Sequence, residues 1–205
     1  MGAQLISLTL KDTILNNFFA DMKKLLFLFL FIPLNSFSQD FRKMSFGQSV
    51  EELKETYPKI EFTVENEMGT VILSHEDIVG ALDTTVGYLF IDDKFSAGVY
   101  DFDRLNVFKS ADDRYKDFKS ISNYLNNKYE MVENNTWHDD SYKDDPNEYG
   151  FALRLGHVDF SEDYSKDKTM IVHSIKKSEG LYSHNVFYFS PSMAEFFNAK
   201  NESDF

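Results

Sequence analysis

The sequence contains no cysteine among its 205 residues, and it has only one tryptophan, four prolines and nine glycines. The absence of cysteine excludes disulfide frameworks, thiolate metal sites, iron–sulfur clusters and thiol nucleophiles. Positive charge is also scarce, because 21 Lys and Arg stand against 34 Asp and Glu and leave a formal net charge of −13. This balance argues against a nucleic-acid partner, since such a partner requires a cationic surface that displaces phosphate counterions.

Sequence signatures of catalysis are missing as well. There is no Gly-x-Ser-x-Gly elbow, no P-loop and no Gly-x-Gly-x-x-Gly turn. Aromatic residues, in contrast, are abundant, with 21 Phe and 11 Tyr in a chain that is 42% hydrophobic. This composition excludes an intrinsically disordered protein and predicts a folded, acidic domain. Because the catalytic motifs are missing, we expect a protein that is not an enzyme.

Residues 22–38 have the order of parts found in a secretory signal peptide. Lys23 and Lys24 supply a positive start, residues 25–32 are apolar, and Ser36 and Ser38 are the small side chains that a signal peptidase needs. The apolar run is too short to span a membrane, which takes about 20 residues. We therefore expect export, and a buried helix is the alternative interpretation.

The signal begins at Met22, and residues 1–21 precede it without a cationic start of their own. We interpret them as a mis-called N-terminal extension, with an amphipathic arm as the alternative. The Phe/Leu-rich core that ends in Ser-Phe-Ser-Gln resembles signal peptides of Bacteroidota. Cleavage after Ser38 would leave residues 39–205 as a single domain in the periplasm or outside the cell, with no transmembrane segment.

Two helices are predicted from capping signals. Ser49 and Glu52 form a capping box, and the helix that they begin ends at Pro58. Ser110 is the predicted N-cap of a longer helix that runs to about Lys128. The buried stripe predicted for this second helix consists of Tyr115, Phe118, Ile121, Leu125 and Tyr129.

Alternating or continuous apolar residues predict strands, and these are residues 60–65, 70–74, 86–91, 95–102, 130–136, 149–156, 168–175 and 183–190. A short helix is expected from Ser192 to about Asn198. Consecutive strands joined by short turns predict an α+β fold, in which an antiparallel sheet is packed on one face by two main helices. Each half starts with a capped helix that ends in tyrosine, which suggests a degenerate two-unit repeat.

The segment from Phe46 to Leu53, Phe-Gly-Gln-Ser-Val-Glu-Glu-Leu, resembles the helix-opening motif of the SmpA/OmlA and beta-lactamase-inhibitor-protein-like modules. That motif reads Gly-x-Ser/Thr-x-x-Glu-Val/Leu. The resemblance implies a small exported α+β domain that binds proteins in the envelope or outside the cell and does no catalysis. This chain has Tyr57-Pro58 where the family has a Gly-x-Pro turn, so no functional residue is carried over.

Histidine spacing does not predict a metal site. The five histidines form neither a His-x-His nor a His-Glu-x-x-His pair, and they are His75, His138, His157, His173 and His184. Residues 75–77 open like the second motif, but Val79 stands at the position of its second ligand. His173 alternates with Ile171 and Ile175, a pattern that favours a histidine packed in the core.

The loop from Trp137 to Glu148 contains the only tryptophan and five carboxylates, which are Asp139, Asp140, Asp144, Asp145 and Glu148. Calcium prefers such oxygen ligands. The spacing of an EF-hand is absent, however, so a solvated acidic loop is the first interpretation and a calcium site the second. Trp137 is interpreted as a core residue, with an exposed contact residue as the alternative.

These observations lead to an expected function. We expect an exported, non-enzymatic module that binds an envelope or extracellular protein through its sheet face or its acidic loops, and the charge favours a basic partner. The first alternative is an exported protein that binds a small ligand in its aromatic interior or calcium in the loop. An unrecognised hydrolase is the second alternative. No organic cofactor is expected, and the sequence does not indicate an oligomeric state.

Overall fold

The computed structural model describes residues 41–193 except for positions 68, 104, 106, 107, 167 and 168. The predicted signal peptide and the predicted extension at residues 1–21 lie outside the described residues, as does most of the helix predicted from Ser192. Within the described ranges, no helix is long and apolar enough to cross a membrane.

The described region contains three α-helices, two short 3-10 helices and nine strands. In chain order they are α1 (Val50–Thr56), β1 (Thr63–Glu67), β2 (Thr70–Val79), β3 (Leu82–Ile91), β4 (Lys94–Asp101), α2 (Ala111–Asn126), β5 (Glu130–Glu133), β6 (Thr136–Trp137), the 3-10 helices Asp140–Tyr142 and Pro146–Glu148, α3 (Tyr149–Leu155), β7 (Val158–Lys166), β8 (Thr169–Ser178) and β9 (Leu181–Phe189). The predicted α+β class is confirmed.

All strand pairs are antiparallel, and the strand order is β1-β2-β3-β4-β9-β8-β7-β5, with β6 paired to β7. Each half of the chain begins with a helix and supplies four neighbouring strands of this order, and the halves join where β4 pairs with β9. The second half also contains α3 and the short strand β6. This order is compatible with the predicted two-unit repeat, which remains a hypothesis.

Both main helices cover the same face of the sheet, as predicted. Strand register aligns one row of core-facing residues across six strands, namely Leu73, Tyr88, Gly98, Tyr188, Ile171 and Tyr164. Leu53 of α1 packs in a cluster with Leu73 and Tyr88. Phe118 of α2 packs with Phe160 and Ile175 on the neighbouring strands, so the core lies between this face and the helices.

The two predicted helix starts are confirmed. The Ser49 Oγ accepts a hydrogen bond from the Glu52 N–H at 3.2 Å, and the Glu52 carboxylate accepts one from the Ser49 N–H at 2.7 Å. The Ser110 Oγ likewise accepts from the Asp113 N–H at 3.2 Å. Each side chain satisfies an N–H group that has no partner inside its helix.

The strand predicted at residues 149–156 is wrong, because this segment forms helix α3. Gly150 permits a close approach to α2, since a Cβ atom there would lie 2.9 Å from the Asp112 Cα. Ala152 and Leu153 bury their side chains, and Gly156 ends the helix with a φ of +74°. Tertiary packing against α2 thus overrides an alternation of aromatic and aliphatic residues that is typical of a strand.

Strand β7 was not predicted, although Val158, Phe160 and Tyr164 alternate toward the core. The carboxylate of Glu162 occupies a core-facing position between them and is only 5% exposed. A charged residue at an inward position breaks the apolar alternation by which a strand is recognised. The Glu162 carboxylate has a hydrogen-bond partner on the neighbouring strand, His173 of β8.

Candidate ligand-binding groove

The junction of the two halves is organised around Phe41. The ring of Phe41 lies over Gly98 of β4, where an added Cβ would come within 2.6 Å of the ring. It also packs against Tyr100 and Tyr188, with ring centroids 4.9 and 5.2 Å away. These two tyrosines are on neighbouring strands and meet edge to face at 6.0 Å. Glycine at position 98 therefore allows the stacking that holds both tyrosines in place.

Next to this pair lies an open cavity of about 660 Å³, which we call the junction groove. Its residues come from the β2–β3 turn, from β4 and β9 and from one side of α2, and they are Val79, Gly80, Ala81, Leu82, Tyr100, Phe102, Asp117, Ser120, Ile121, Tyr124, Leu125, Val186 and Tyr188. Aliphatic and aromatic side chains together form most of the lining. The volume lies within the range of about 300–1,000 Å³ that is typical of small-molecule sites.

The polar groups of the junction groove are the hydroxyls of three tyrosines and the side chains of Asp117 and Ser120. Tyr124 interacts with Lys128, which donates a hydrogen bond to its hydroxyl. In the described part of the chain, no hydrogen bond involves the hydroxyl of Tyr100 or Tyr188. Burial raises the pKa of Tyr100 to about 12 and raises that of Tyr188 as well. Both hydroxyls therefore keep their protons at neutral pH and are able to donate to a ligand.

Charged groups lie around the junction groove in pairs. Arg42 forms an ion pair with Asp77 at 2.5 Å, and its guanidinium lies 5.9 Å from the centroid of the Tyr100 ring. Asp117, which lines the groove, is paired with Lys109. The ammonium of Lys128 stands 4.2 Å from the Tyr124 ring centroid. Asp77 and Asp117 each pair with one cation, so that of the cations Arg42, Lys109 and Lys128 only Lys128 has no carboxylate partner among the described residues.

A second cavity, of about 610 Å³, lies at the C-terminal end of α2 and is lined by residues 126–130 together with Ser165 and Lys166. Its side chains are mainly polar. It therefore offers a ligand less apolar surface than the junction groove does, and the junction groove is the stronger candidate.

The structure does not bring the carboxylates of the acidic loop together at one site. Asp139 accepts hydrogen bonds from the Ser141 N–H and hydroxyl, Asp145 accepts from the Asn147 N–H, and Asp140 lies 3.3 Å from the Lys143 ammonium. Within the described ranges, no group of three His, Asp or Glu side chains could hold a metal ion. Calcium binding by Asp139, Asp140, Asp144, Asp145 and Glu148 thus remains a hypothesis without a preformed site. Trp137 is half-buried and packs edge to face on Tyr149 at 5.3 Å.

The predicted core position of His173 is confirmed, since its side chain is fully buried. Its Nδ1 lies 3.3 Å from the Glu162 carboxylate, which also accepts a hydrogen bond from the Tyr164 hydroxyl at 2.6 Å. Its Nε2 lies 3.0 Å from Nε2 of His184. Because a carboxylate only accepts, the Nδ1–H of His173 donates to Glu162, and the Nε2–H of His184 donates to His173. We call these four residues the buried polar chain.

Burial sets the protonation of the buried polar chain. It lowers the pKa of His173 and takes that of His184 well below its ordinary value, with the neighbouring His173 adding to the effect on His184. Burial alone would raise the pKa of Glu162, but hydrogen bonds, chiefly those from His173 and Tyr164, outweigh it and lower that pKa. Both imidazoles are therefore neutral at neutral pH, and Glu162 is ionised.

Ser122 lies beside this chain, but the arrangement is not that of a catalytic triad. The Ser122 Oγ stands 3.5 Å from the same Nδ1 of His173 that faces Glu162, and it donates to the Phe118 carbonyl at 2.9 Å. A nucleophile and an orienting carboxylate act on opposite nitrogens of the histidine. Ser122 and His173 are both 0% exposed, so the geometry assigns the cluster a role in packing.

Comparison with protein-family models, with curated proteins and with solved structures gives no match. The resemblance of residues 46–53 to the SmpA/OmlA and beta-lactamase-inhibitor-protein-like modules therefore stays a prediction.

Proposed function

We propose that residues 39–205 form an exported, non-enzymatic binding module, and that the junction groove holds a small, largely apolar ligand. One observation carries the proposal, namely an open cavity of about 660 Å³ between α2 and the sheet. Filling it removes the exposed apolar surface of side chains such as Val79, Leu82 and Ile121 from water, which is favourable by about 25 cal/mol per Å². Export follows from the signal-peptide pattern of residues 22–38.

The proposal is tested with N-phenyl-1-naphthylamine, an uncharged fluorescent probe whose emission rises in apolar surroundings. Titration of the purified protein should give saturable binding of one probe per chain. The Ser120→Trp variant places a large ring on the exposed side of α2 that lines the groove, and it should abolish this signal.

Lys119→Trp is the matched control, because residue 119 is equally exposed on the same helix and does not line the groove. It should bind the probe as the unmodified protein does. Absence of saturable binding, or equal binding by both tryptophan variants, would contradict the assignment of the groove.

A second candidate function is the binding of a basic envelope or extracellular protein. It is favoured by the net charge of −13 and by Phe108, whose side chain is 99% exposed on the loop before α2. A purified partner should bind with an affinity that falls with salt, and Phe108→Ser should weaken it at every salt concentration. Affinity that is independent of both salt and Phe108 would exclude this mode of binding.

A further inference from the structure

We infer that the ligand of the junction groove is amphipathic, with an alkyl body and an oxygen-bearing, anionic head of the carboxylate type. This inference rests on the proposed function and adds the chemical class of the ligand. It starts from the kinds of side chain that line the groove. Aliphatic side chains of α2 and the sheet, among them Leu125 and Val186, lie in the lining together with tyrosines, whose rings are apolar and whose hydroxyls are polar.

The hydroxyls near the head position are hydrogen-bond donors without a protein acceptor in the described part of the chain. Tyr100 and Tyr188 stand edge to face at 6.0 Å, and both are held from behind by the Phe41 ring. Their positions are therefore set before any ligand binds. A head group that accepts hydrogen bonds would satisfy both hydroxyls, whereas a purely aliphatic ligand would leave them without a partner.

The charges around the groove determine which acceptor fits best. Arg42 lies beside the Tyr100 ring and Lys128 beside the Tyr124 ring, at 5.9 and 4.2 Å from the centroids. Asp77 neutralises Arg42, and the cation at Lys128 has no carboxylate partner among the described ion pairs. A carboxylate head near the tyrosines would gain from this local positive charge. An ammonium head would be repelled by it.

Three probes share a ten-carbon alkyl chain and differ only in the head group, and they are decanoate, decanol and decylammonium. Differences between their affinities therefore report the contribution of the head group. Each is titrated against the protein loaded with N-phenyl-1-naphthylamine at neutral pH. Decanoate should displace the probe at the lowest concentration, decanol should follow, and decylammonium should be weakest by about tenfold or more relative to decanoate.

The head-group contacts are tested with the Tyr100→Phe/Tyr188→Phe double variant. It keeps the rings and should weaken decanoate about tenfold, as expected for the loss of two hydrogen bonds, while the affinity for the uncharged probe is unchanged. Tyr57→Phe, which alters a tyrosine outside the groove lining, is the control and should bind decanoate normally.

The outcomes distinguish this inference from the proposed function. If the naphthylamine probe binds but decylammonium competes as well as decanoate, the groove is a ligand site and the anionic head is excluded. Unchanged decanoate affinity in the double variant also overturns the head-group assignment. If no probe binds at all, the proposed function itself fails.

Discussion

In the first half of the chain the main core cluster consists of aromatic and aliphatic side chains packed around Tyr88, whereas the second half buries a chain of polar groups around His173. Both halves supply strands to one sheet, yet their interiors depend on different interactions. The core of the first half is stabilised by the burial of apolar surface and by contacts between aromatic rings. The core of the second half also depends on the hydrogen bonds that join the buried polar chain.

The largest expected effect comes from the residue that covers the buried polar chain. Phe118 stacks on His173 with ring centroids 4.2 Å apart and is 2% exposed. Phe118→Ala should lower the free energy of unfolding by about 3–5 kcal/mol, because it leaves a cavity where a ring was packed. Urea denaturation followed by circular dichroism measures this loss.

Phe90→Ala is the matched variant in the first half, since Phe90 is also fully buried. It should cost a similar free energy but leave the pH dependence of stability unchanged. A loss below about 1 kcal/mol for Phe118→Ala would contradict the packing described for the second half.

The second prediction concerns acid sensitivity, which should reside in the second half. Since the folded-state pKa values of His173 and His184 are lowered from 6.5, the unfolded chain binds more protons below that pH. Their contribution to stability is complete above pH 6.5 and is lost as the pH falls toward the lowered values. The slope should reach about 1.4 kcal/mol per pH unit for each histidine protonated only on unfolding.

The lowered pKa of Glu162 acts in the same direction at lower pH, because its contribution is present above about 4.5 and is lost as its folded-state pKa is crossed. Urea denaturation between pH 7.5 and 5.5 measures the histidine part. The His173→Gln/His184→Gln variant should flatten the slope, whereas His138→Gln, at a side chain 51% exposed, should retain it. A slope unchanged by the double variant would refute the assignment.

The smallest expected effect compares the two helix starts directly. Ser49→Ala and Ser110→Ala each remove the side-chain oxygen that accepts a hydrogen bond from the N–H three residues on. Ser110→Ala also removes the hydrogen bond that the Ser110 hydroxyl donates to the Asp113 carboxylate at 2.8 Å. Both should lower stability by about 1 kcal/mol, even though α2 is much longer than α1. Ser49→Thr and Ser110→Thr keep the oxygen and should restore most of the loss. Clearly unequal losses in the two alanine variants would show that the caps are not equivalent.

Sequence reasoning located the features that depend on neighbouring residues. The capping box at Ser49, the N-cap at Ser110 and the strands predicted at residues 86–91 and 95–102, which pair as β3 and β4, are all local signals, and the structure confirms them. The core position of His173 followed from its alternation with apolar neighbours.

What could not be predicted depends on contacts between distant segments. Helix α3 was interpreted as a strand because the close approach of Gly150 to Asp112 is set by tertiary packing. One helix signal was available in the sequence. The apolar residues Ala152 and Leu153 are followed by Gly156, and a glycine just after the last apolar residues is typical of the end of a helix. The buried polar chain joins Glu162, His173 and His184 across three strands, and no single segment contains its pattern.

The junction groove was missed for the same reason. Its lining comes from four separate parts of the chain, residues 79–82, 100–102, 117–125 and 186–188. In sequence these read as ordinary core and turn residues. The lining residues come together at one cavity because of the strand register and the position of α2.

The central claim is that the junction of the two halves is a ligand site, and methyl NMR of the isotopically labelled protein with added decanoate tests it most directly. The account predicts saturable shifts concentrated on the methyl groups of Val79, Leu82, Ile121, Leu125 and Val186, with little change at Leu53 in the core of the first half. Shifts spread evenly over the molecule, or centred away from these residues, would contradict it.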